Sequence, residues 1–205
     1  QVLHYEADYY QCTQCGSVQI EEPHWLEEAH SAAISILDTG LVARCLSASR
    51  LISVFLFLEG RMKSSGIDWG GGTGLLTRML RDLGFEMLSF DKYMDGQHSR
   101  GFNINESELG SKKDFLTAIE CFEHLEDPIT LLVNAVEKKQ YFIFTTEVLR
   151  LPAPDPAARD WWYFMPESGQ HITFATNVGL QSFTKQLGFN YLISFGSLHV
   201  MSRHP

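Results

Sequence analysis

The stretch "IDWGGGTGLLTRML", residues 67–80, decides the fold of this chain. A short apolar run ends at Trp69, four glycines follow between positions 70 and 74, and a helical pattern begins at Leu75. Glycine permits a tight turn and lets a ligand approach the backbone closely. The start of the helix offers free N–H groups to an anionic ligand. The stretch therefore predicts a strand, a ligand-binding turn and a helix.

The spacing of the glycines excludes two common nucleotide motifs. A G-x-G-x-x-G fingerprint needs a third glycine at position 75 or 77, where the chain has leucine and threonine. A P-loop needs Gly-Lys-Ser/Thr, but a leucine follows the last glycine. The pattern that fits is Asp68 followed by Gly70, Gly72 and Gly74, with a second acid, Asp91, ending the next predicted strand.

Short apolar runs alternate with amphipathic helical patterns along the rest of the chain. We predict strands at 66–69, 86–91, 115–120, 141–147, 191–196 and 198–203, a weaker strand at 101–105, and helices between most of them. The last two strands are joined too tightly for a crossover and should pair antiparallel. Strand–helix alternation predicts a mostly parallel sheet covered on both faces. Ligands of such sheets bind at the carboxyl ends of the strands.

Length and composition bound the other possibilities. The 205 residues suit one domain, which we place at 61–205, preceded by an N-terminal extension and helical cap at 1–60. The net charge of −9 disfavours nucleic acid as a partner. The most apolar run, 51–58, is too short to span a bilayer, so we expect core packing or a homodimer contact there and no membrane association. Four scattered cysteines favour a reducing, cytoplasmic location.

Three segments carry a resemblance to a known family. The glycine turn with its two acids resembles the S-adenosylmethionine-binding pattern of class I methyltransferases. "DFLTAIECFEHLEDP" at 114–128 and "GQHITFAT" at 169–176 resemble segments of the bacterial small-molecule and sugar methyltransferases. The resemblance covers about residues 62–195. It implies an α/β, Rossmann-like class I methyltransferase fold, with a seven-stranded, mostly parallel sheet, an antiparallel last hairpin and a helical N-terminal cap.

The resemblance also implies a cofactor and the residues that hold it. The glycine turn would pack against the methionine portion of S-adenosylmethionine, and Asp91 would accept hydrogen bonds from both ribose hydroxyls. The implied cofactor-binding residues are Asp68, Gly70, Gly71, Gly72, Gly74, Asp91, Lys92 and Glu120. Residues 93–113 lack a clear acid that would close a third strand, so the contacts to adenine stay unassigned.

Two histidines are the candidate catalytic bases. Methyl transfer needs a base only when the nucleophile must lose a proton early, and histidine titrates near neutrality. His124 follows the predicted fourth strand, and His171 lies on a long aromatic connection that could cover the substrate. The alternative for His124 and for Glu123 is to cap or brace the next helix. Glu147, at the end of the fifth strand, is a further candidate for substrate contact.

The segment "CTQCG", residues 12–16, is half of a zinc ribbon. A tetrahedral site needs two more ligands, and neither Cys45 nor Cys121 forms a second C-x-x-C pair. A degenerate remnant or a packed turn is the favoured interpretation. We therefore predict no metal site.

The resemblance therefore implies methyl transfer from S-adenosylmethionine to a small-molecule or sugar-like acceptor. One alternative is a protein or RNA methyltransferase, although the acidic charge argues against RNA. The other is a non-catalytic cofactor-binding or interaction module that keeps the fold.

Overall fold

The computed structural model of the chain describes residues 2–30 and 39–205. In chain order its strands and helices are β1 (Tyr9–Gln11), β2 (Val18–Ile20), α1 (Leu26–Ala29), α2 (Leu41–Leu58), β3 (Ser65–Trp69), α3 (Leu75–Asp82), β4 (Glu86–Phe90), β5 (Phe115–Ala118), α4 (Pro128–Val136), β6 (Tyr141–Thr145), β7 (Thr173–Phe174), α5 (Asn177–Gln186), β8 (Tyr191–Phe195) and β9 (Leu198–Ser202). Short 3₁₀ turns lie at Glu106–Glu108, Phe122–His124 and Trp162–Phe164.

The main sheet has the strand order β4-β3-β5-β6-β9-β8. The first four strands run parallel, and β9 lies antiparallel to both β6 and β8. Buried apolar side chains cover both faces: one core includes Leu116, Phe142 and Leu180, and the other includes Ile52, Leu80 and Ile143. The predicted parallel sheet with an antiparallel last hairpin is thus present.

The described residues form six strands in this sheet, where the resemblance implied seven. The weak candidate at 101–105 makes only a single bridge, from Asn103 to Ser89 of β4. Its one large aromatic side chain, Phe102, lies at the surface under the Arg81 guanidinium, 3.3 Å from the ring centroid. A strand at this position would lack the buried alternate side chains that fix a strand against the core, so only the bridge forms.

The N-terminal residues are more regular than their sequence suggested. Strands β1 and β2 form an antiparallel hairpin, and β2 pairs with β7 to complete a three-stranded sheet. The N-terminal extension is therefore joined to the connection that carries His171. Within the predicted helical cap, the structure has the short helix α1 and the long helix α2, while residues 31–38 lie outside the described residues. The division at residues 60 and 61 stays a prediction.

Helix α2 has one buried face and one exposed apolar face. Ile52 and Leu56 enter the core, whereas Val54, Phe57 and Leu58 are exposed. By length and composition alone this helix could cross a membrane, but a core helix of a soluble protein passes the same test. Core packing accounts for the buried face, and a homodimer contact on the other face stays a prediction.

A buried carboxylate ties the glycine turn to the sheet. Asp68 of β3 accepts hydrogen bonds from the Thr117 hydroxyl of β5 at 2.7 Å and from the Thr77 hydroxyl of α3 at 3.1 Å. Burial raises the pKa of Asp68 to about 6, although the two hydroxyl bonds oppose that shift. Asp68 supports the turn from inside the protein, and its direct contact with a cofactor stays a prediction.

The shifted pKa of Asp68 predicts a pH-dependent stability. Between about pH 4 and 6 the unfolded carboxyl is ionised while the folded one keeps its proton, so stability falls as pH rises through this window. The full contribution is about 2–3 kcal/mol. The free energy of unfolding in urea is measured for wild type and for Asp68→Asn at pH 7 and at pH 4. Relative to the variant, wild type should be more stable at pH 4 than at pH 7 by about this amount. If the free energies of unfolding of wild type and Asp68→Asn changed equally with pH, the raised pKa of Asp68 would be contradicted. Asp160→Asn, which replaces an exposed carboxylate, is the control.

Helix α4 begins at a side-chain cap. The Asp127 side chain accepts a hydrogen bond from the Thr130 backbone N–H at 3.1 Å, and Pro128 occupies the first turn. Asp127→Ala should lower the free energy of unfolding by about 1 kcal/mol, because one helical N–H loses its acceptor. Asp127→Ser keeps an acceptor oxygen and should restore most of the loss. Equal stabilities for wild type and the alanine variant would show that the cap does not contribute.

Candidate functional site

The glycine turn between β3 and α3 has one position that faces open space. Gly70, Gly72 and Gly74 all have positive φ angles, of 69°, 54° and 77°, where a side chain is strained. A Cβ atom on Gly70 would clash with Cys121, and one on Gly74 would clash with Ser99. A Cβ atom on Gly72 would meet no atom within 4 Å. The outer glycines are thus required by packing, while Gly72 leaves room for a ligand.

The predicted second acid lies against this turn. Asp91 Oδ2 accepts a 2.8 Å hydrogen bond from the Gly72 backbone N–H. Its Oδ1 accepts two more, from Tyr93 N at 2.8 Å and Met94 N at 2.9 Å. Oδ2 therefore retains the free lone pair with which a ligand hydroxyl can bond. Lys92 is exposed, and its Nζ lies 5.4 Å from the Tyr93 ring centroid.

Two cavities open beside Asp91. One, of about 310 Å³, is lined by the end of β4, by Asp91 and Lys92 and by residues 104–106. The other, of about 620 Å³, is lined by residues 93–97, 100, 101 and 103. The segment for which the sequence assigned no cofactor contacts thus forms most of the cavity walls. Gly71 lies behind the turn, where a Cβ atom would clash with Ser89.

Glu120 lies just beyond the end of β5 in a strained backbone conformation. Its φ of 55° is unusual for a residue other than glycine. The Thr145 hydroxyl donates to Glu120 Oε1 at 2.8 Å, and Arg44 Nε lies 3.1 Å from Oε2. The next residue, Cys121, donates through its Sγ to the Gly70 carbonyl at 3.5 Å. Such outliers concentrate at functional sites, and this one adjoins the glycine turn.

The structure brings the two candidate histidines together. His124 ends the 3₁₀ turn that follows β5, and His171 precedes β7. The Ile172 N–H donates to the Glu123 carbonyl at 2.8 Å, and this backbone bond holds the two segments side by side. The ring centroids of His124 and His171 are 5.1 Å apart. The sequence identified each residue separately but gave no sign that they are neighbours.

Burial keeps both histidines neutral at pH 7. It lowers the pKa of His124 well below its usual range, with smaller contributions from His171 and His30, and it lowers the pKa of His171 to about 4. A general base must be unprotonated, and both rings meet that condition. With a pKa of about 4, His171 is a weak base, because the driving force for taking up a proton falls as the pKa falls.

Glu123 is the residue that sequence analysis undervalued. The expectation that it caps or braces the next helix is not supported, because Asp127 supplies the cap of α4. Glu123 is fully buried, and neither carboxylate oxygen has a hydrogen-bond partner among residues 2–30 and 39–205. Burial, with a smaller contribution from the Glu120 charge, raises its pKa to about 8. Its adjacency to His124 was the only available signal.

The aromatic connection that carries His171 has both buried and exposed rings. Tyr163 and Phe164 belong to a buried cluster with Phe174, while Trp162 is exposed. Glu147 is partly buried just after β6. The thiols of the C-x-x-C pair are free and occupy the turn between β1 and β2. They belong to no group of three metal-ligating side chains within the described ranges.

Comparison with solved structures identifies the fold. The chain is similar to magnesium protoporphyrin IX methyltransferase from Synechocystis PCC 6803 with bound SAH, with a TM-score of 0.58, 13% identity, and coverage of 86% of this chain and 90% of that one. The chain is also similar to a possible histamine N-methyltransferase from Thermotoga maritima, with a TM-score of 0.54 and 15% identity, and the match covers 88% of this chain and 94% of that one. For human N-acetylserotonin methyltransferase in complex with SAM, the TM-score is 0.53 at 13% identity, and the match covers 89% of this chain and 66% of that one.

At these identities the structures establish the fold, and the predicted Rossmann-like methyltransferase architecture is confirmed. No curated protein matches the chain. The family model described as "Methyltransferase domain" matches residues 44–193, a range that begins within α2 and contains every predicted cofactor-binding and catalytic residue. The chain therefore belongs to the methyltransferase-domain family.

Proposed function

We propose that this chain transfers the methyl group of S-adenosylmethionine to a small-molecule acceptor. The observation that carries the proposal is the hydrogen bond between Asp91 Oδ2 and the Gly72 N–H, beside open space at Gly72. It joins an acid at the end of β4 to a glycine turn at the end of β3, where ligands of open parallel sheets bind. Similar structures were solved with SAM or SAH bound.

The shape and charge of the site support a particular orientation of the cofactor. The open face at Gly72 accommodates the methionine portion, and the free lone pair of Asp91 Oδ2 accepts a ribose hydroxyl. The cavity of about 310 Å³ adjoining Asp91 takes the nucleoside, since ligand pockets of this kind start near 300 Å³. Binding of both ribose hydroxyls requires Asp91 Oδ1 to give up one of its bonds to Tyr93 or Met94.

Methyl transfer is an in-line displacement. The acceptor atom attacks the methyl carbon, the carbon–sulfur bond breaks, and the sulfonium becomes a neutral thioether. A proton leaves the acceptor for a base or for solvent. The protein must align the three atoms and exclude water. His124 and His171 lie on the turn after β5 and on the connection before β7, so one of their rings is the candidate proton acceptor.

A small molecule suits this chain better than a macromolecule. The net charge of −9 disfavours a phosphate backbone, and the similar structures include enzymes named for porphyrin and N-acetylserotonin substrates. A sugar-like acceptor remains within this proposal. The cytoplasmic location rests on the free, scattered cysteines. A non-catalytic module is the alternative, and release of S-adenosylhomocysteine over an acceptor panel separates the two.

Loss of the Asp91 carboxylate should weaken cofactor binding. Asp91→Ala should cost roughly 1.5–3 kcal/mol, the range for hydrogen bonds to a charged group. Calorimetric titration with S-adenosylmethionine measures this directly. Glu86→Ala is the matched control, because Glu86 is an exposed acid at the opposite end of the same strand. Unchanged affinity in Asp91→Ala would contradict the cofactor assignment.

A side chain at Gly72 should block the same ligand sterically. Gly72→Val should abolish calorimetric binding while the fold is retained, since a Cβ there meets no protein atom. Gly60→Val is the control for backbone strain, because Gly60 also has a positive φ, 68°, and open surroundings. Binding by Gly72→Val at wild-type strength would place the cofactor elsewhere.

Replacement of the base should lower turnover without weakening cofactor binding. A base acts in the transition state, so its loss costs roughly a hundredfold or more in rate. The measurement is single-turnover release of S-adenosylhomocysteine by His124→Gln and by His171→Gln, with an acceptor found in the panel. The exposed His98→Gln is the control. If both variants keep the full rate, catalysis works through alignment alone or through a carboxylate such as Glu147.

A further inference from the structure

The hydrogen bonds around the two histidines assign their tautomers. His171 Nδ1 lies 2.7 Å from the Tyr163 carbonyl, which can only accept, so this nitrogen carries the proton. His30 Nδ1 likewise donates to the Leu26 carbonyl at 2.8 Å. His30 Nε2 lies 3.2 Å from His124 Nδ1, and we assign the tautomer in which His30 Nε2 accepts and His124 Nδ1 donates. Both His124 and His171 therefore present an unprotonated Nε2.

The two imidazole rings lie beside the Glu123 carboxyl group, which makes no hydrogen bond of ordinary geometry with any described residue. Both oxygens of Glu123 are buried and without a hydrogen-bond partner within the described part of the chain. His124 Nε2 lies 3.9 Å from Glu123 Oε1, too far for a hydrogen bond. One ligand atom from each of Glu123, His124 and His171 lies within 4.8 Å of the other two. Three possible ligand atoms thus face one point, where a divalent cation would bind all three groups and displace the proton that Glu123, with a pKa raised by burial to about 8, keeps at pH 7.

We propose that Glu123, His124 and His171 form a binding site for one divalent transition-metal ion. Two imidazoles and one carboxylate are a ligand set that suits zinc, iron and cobalt rather than calcium or magnesium. Ligation at about 2.0–2.2 Å requires the three ligand atoms to close by roughly 1 Å, which small side-chain rotations provide. Three protein ligands leave further coordination positions for water or substrate. This site replaces the expectation that the chain has no metal site.

The surroundings of the cluster resemble the second shell of a metal site. Metal-binding histidines commonly donate their other N–H to a carbonyl or another acceptor, which fixes the ring and its tautomer. His171 does so through Tyr163, and His124 does so through His30, which is anchored in turn on Leu26. Binding of the ion does not depend on methyl transfer, so the site can be tested even if the proposed reaction is wrong.

Cobalt(II) is the probe that tests this site. The full chain, purified without a histidine tag and treated with chelator, is titrated with Co²⁺ and followed by absorption and calorimetry. We expect one ion per chain with a nitrogen- and oxygen-ligand spectrum that lacks thiolate charge-transfer bands. Loss of a hydrogen-bond partner of a metal ligand typically lowers metal affinity roughly ten- to hundredfold. Glu123→Gln, which conserves the shape of the side chain, and His171→Gln each remove a proposed ligand, so they should weaken Co²⁺ binding by more than that. His30→Ala, which removes such a partner, should weaken it within that range.

Two control variants locate the ion. His98→Gln removes an exposed histidine, and Cys12→Ser removes an exposed thiol of the C-x-x-C pair; both should bind Co²⁺ as wild type does. Circular dichroism checks that each variant is folded. The proposal is overturned if folded wild type binds no Co²⁺, and this outcome depends on no variant. It is also overturned if binding survives in folded Glu123→Gln and His171→Gln, or if a thiolate spectrum disappears in Cys12→Ser.

Discussion

The parallel pairing of β3 with β4 on one side and β5 on the other is the constraint on which the site depends. In this register Asp68 lies opposite Ser89 and Thr117, so the three strands end at the same edge. The glycine turn, Asp91 and the turn that carries His124 follow these ends directly. Any sequence change that slipped one strand by a residue would exchange the side chains between its two faces and separate these groups.

Polar groups inside the fold reinforce this edge. The Asp68 carboxylate binds hydroxyls from β5 and α3 and so fixes the start of the helix relative to two strands. Cys121 then contacts the Gly70 carbonyl, which connects the end of β5 to the glycine turn. Because interiors are close-packed, a clash at Gly70 or Gly74 cannot be relieved locally. The turn is therefore positioned by packing on its inner side while Gly72 remains open on its outer side.

The sequence predicted the fold well because the decisive signals are local. The apolar strand followed by glycines, the Asp127-Pro128 helix start and the tight link between β8 and β9 each depend on neighbours in the chain. The absence of the strand predicted at 101–105 and the presence of the β1–β2 hairpin were not predicted, because both depend on contacts between distant parts of the chain. Phe102 has the apolar character of a strand residue, but its position under Arg81 is decided by tertiary contacts. The pairing of β2 with β7 joins segments about 150 residues apart.

The sequence identified individual residues of the site but not which of them lie next to one another. Asp91 and the glycines follow a fixed spacing, so a linear pattern can identify them. The proximity of His124 and His171 depends on contacts between segments far apart in sequence, including the hydrogen bonds from Ile172 N–H to the Glu123 carbonyl and from the Thr173 hydroxyl to the Leu125 carbonyl. His30 comes from the N-terminal extension, which no pattern linked to the site. Residues joined only by the folded chain leave no periodic signal.

The burial of Glu123 beside two imidazole rings is unfavourable for folding. A buried polar group without a partner costs roughly 1–3 kcal/mol, and the same burial raises the pKa of Glu123 to about 8. The cluster is nevertheless held in place by the backbone bond from Ile172 N–H to the Glu123 carbonyl and by the bond from the His171 ring to the Tyr163 carbonyl. Natural sequences depart from local consistency chiefly at functional sites. A cluster held in this way is consistent with the proposed cation site. A histidine Nε2 that binds the ion cannot also accept a substrate proton, so metal binding and general-base catalysis are alternative roles for His124 and His171.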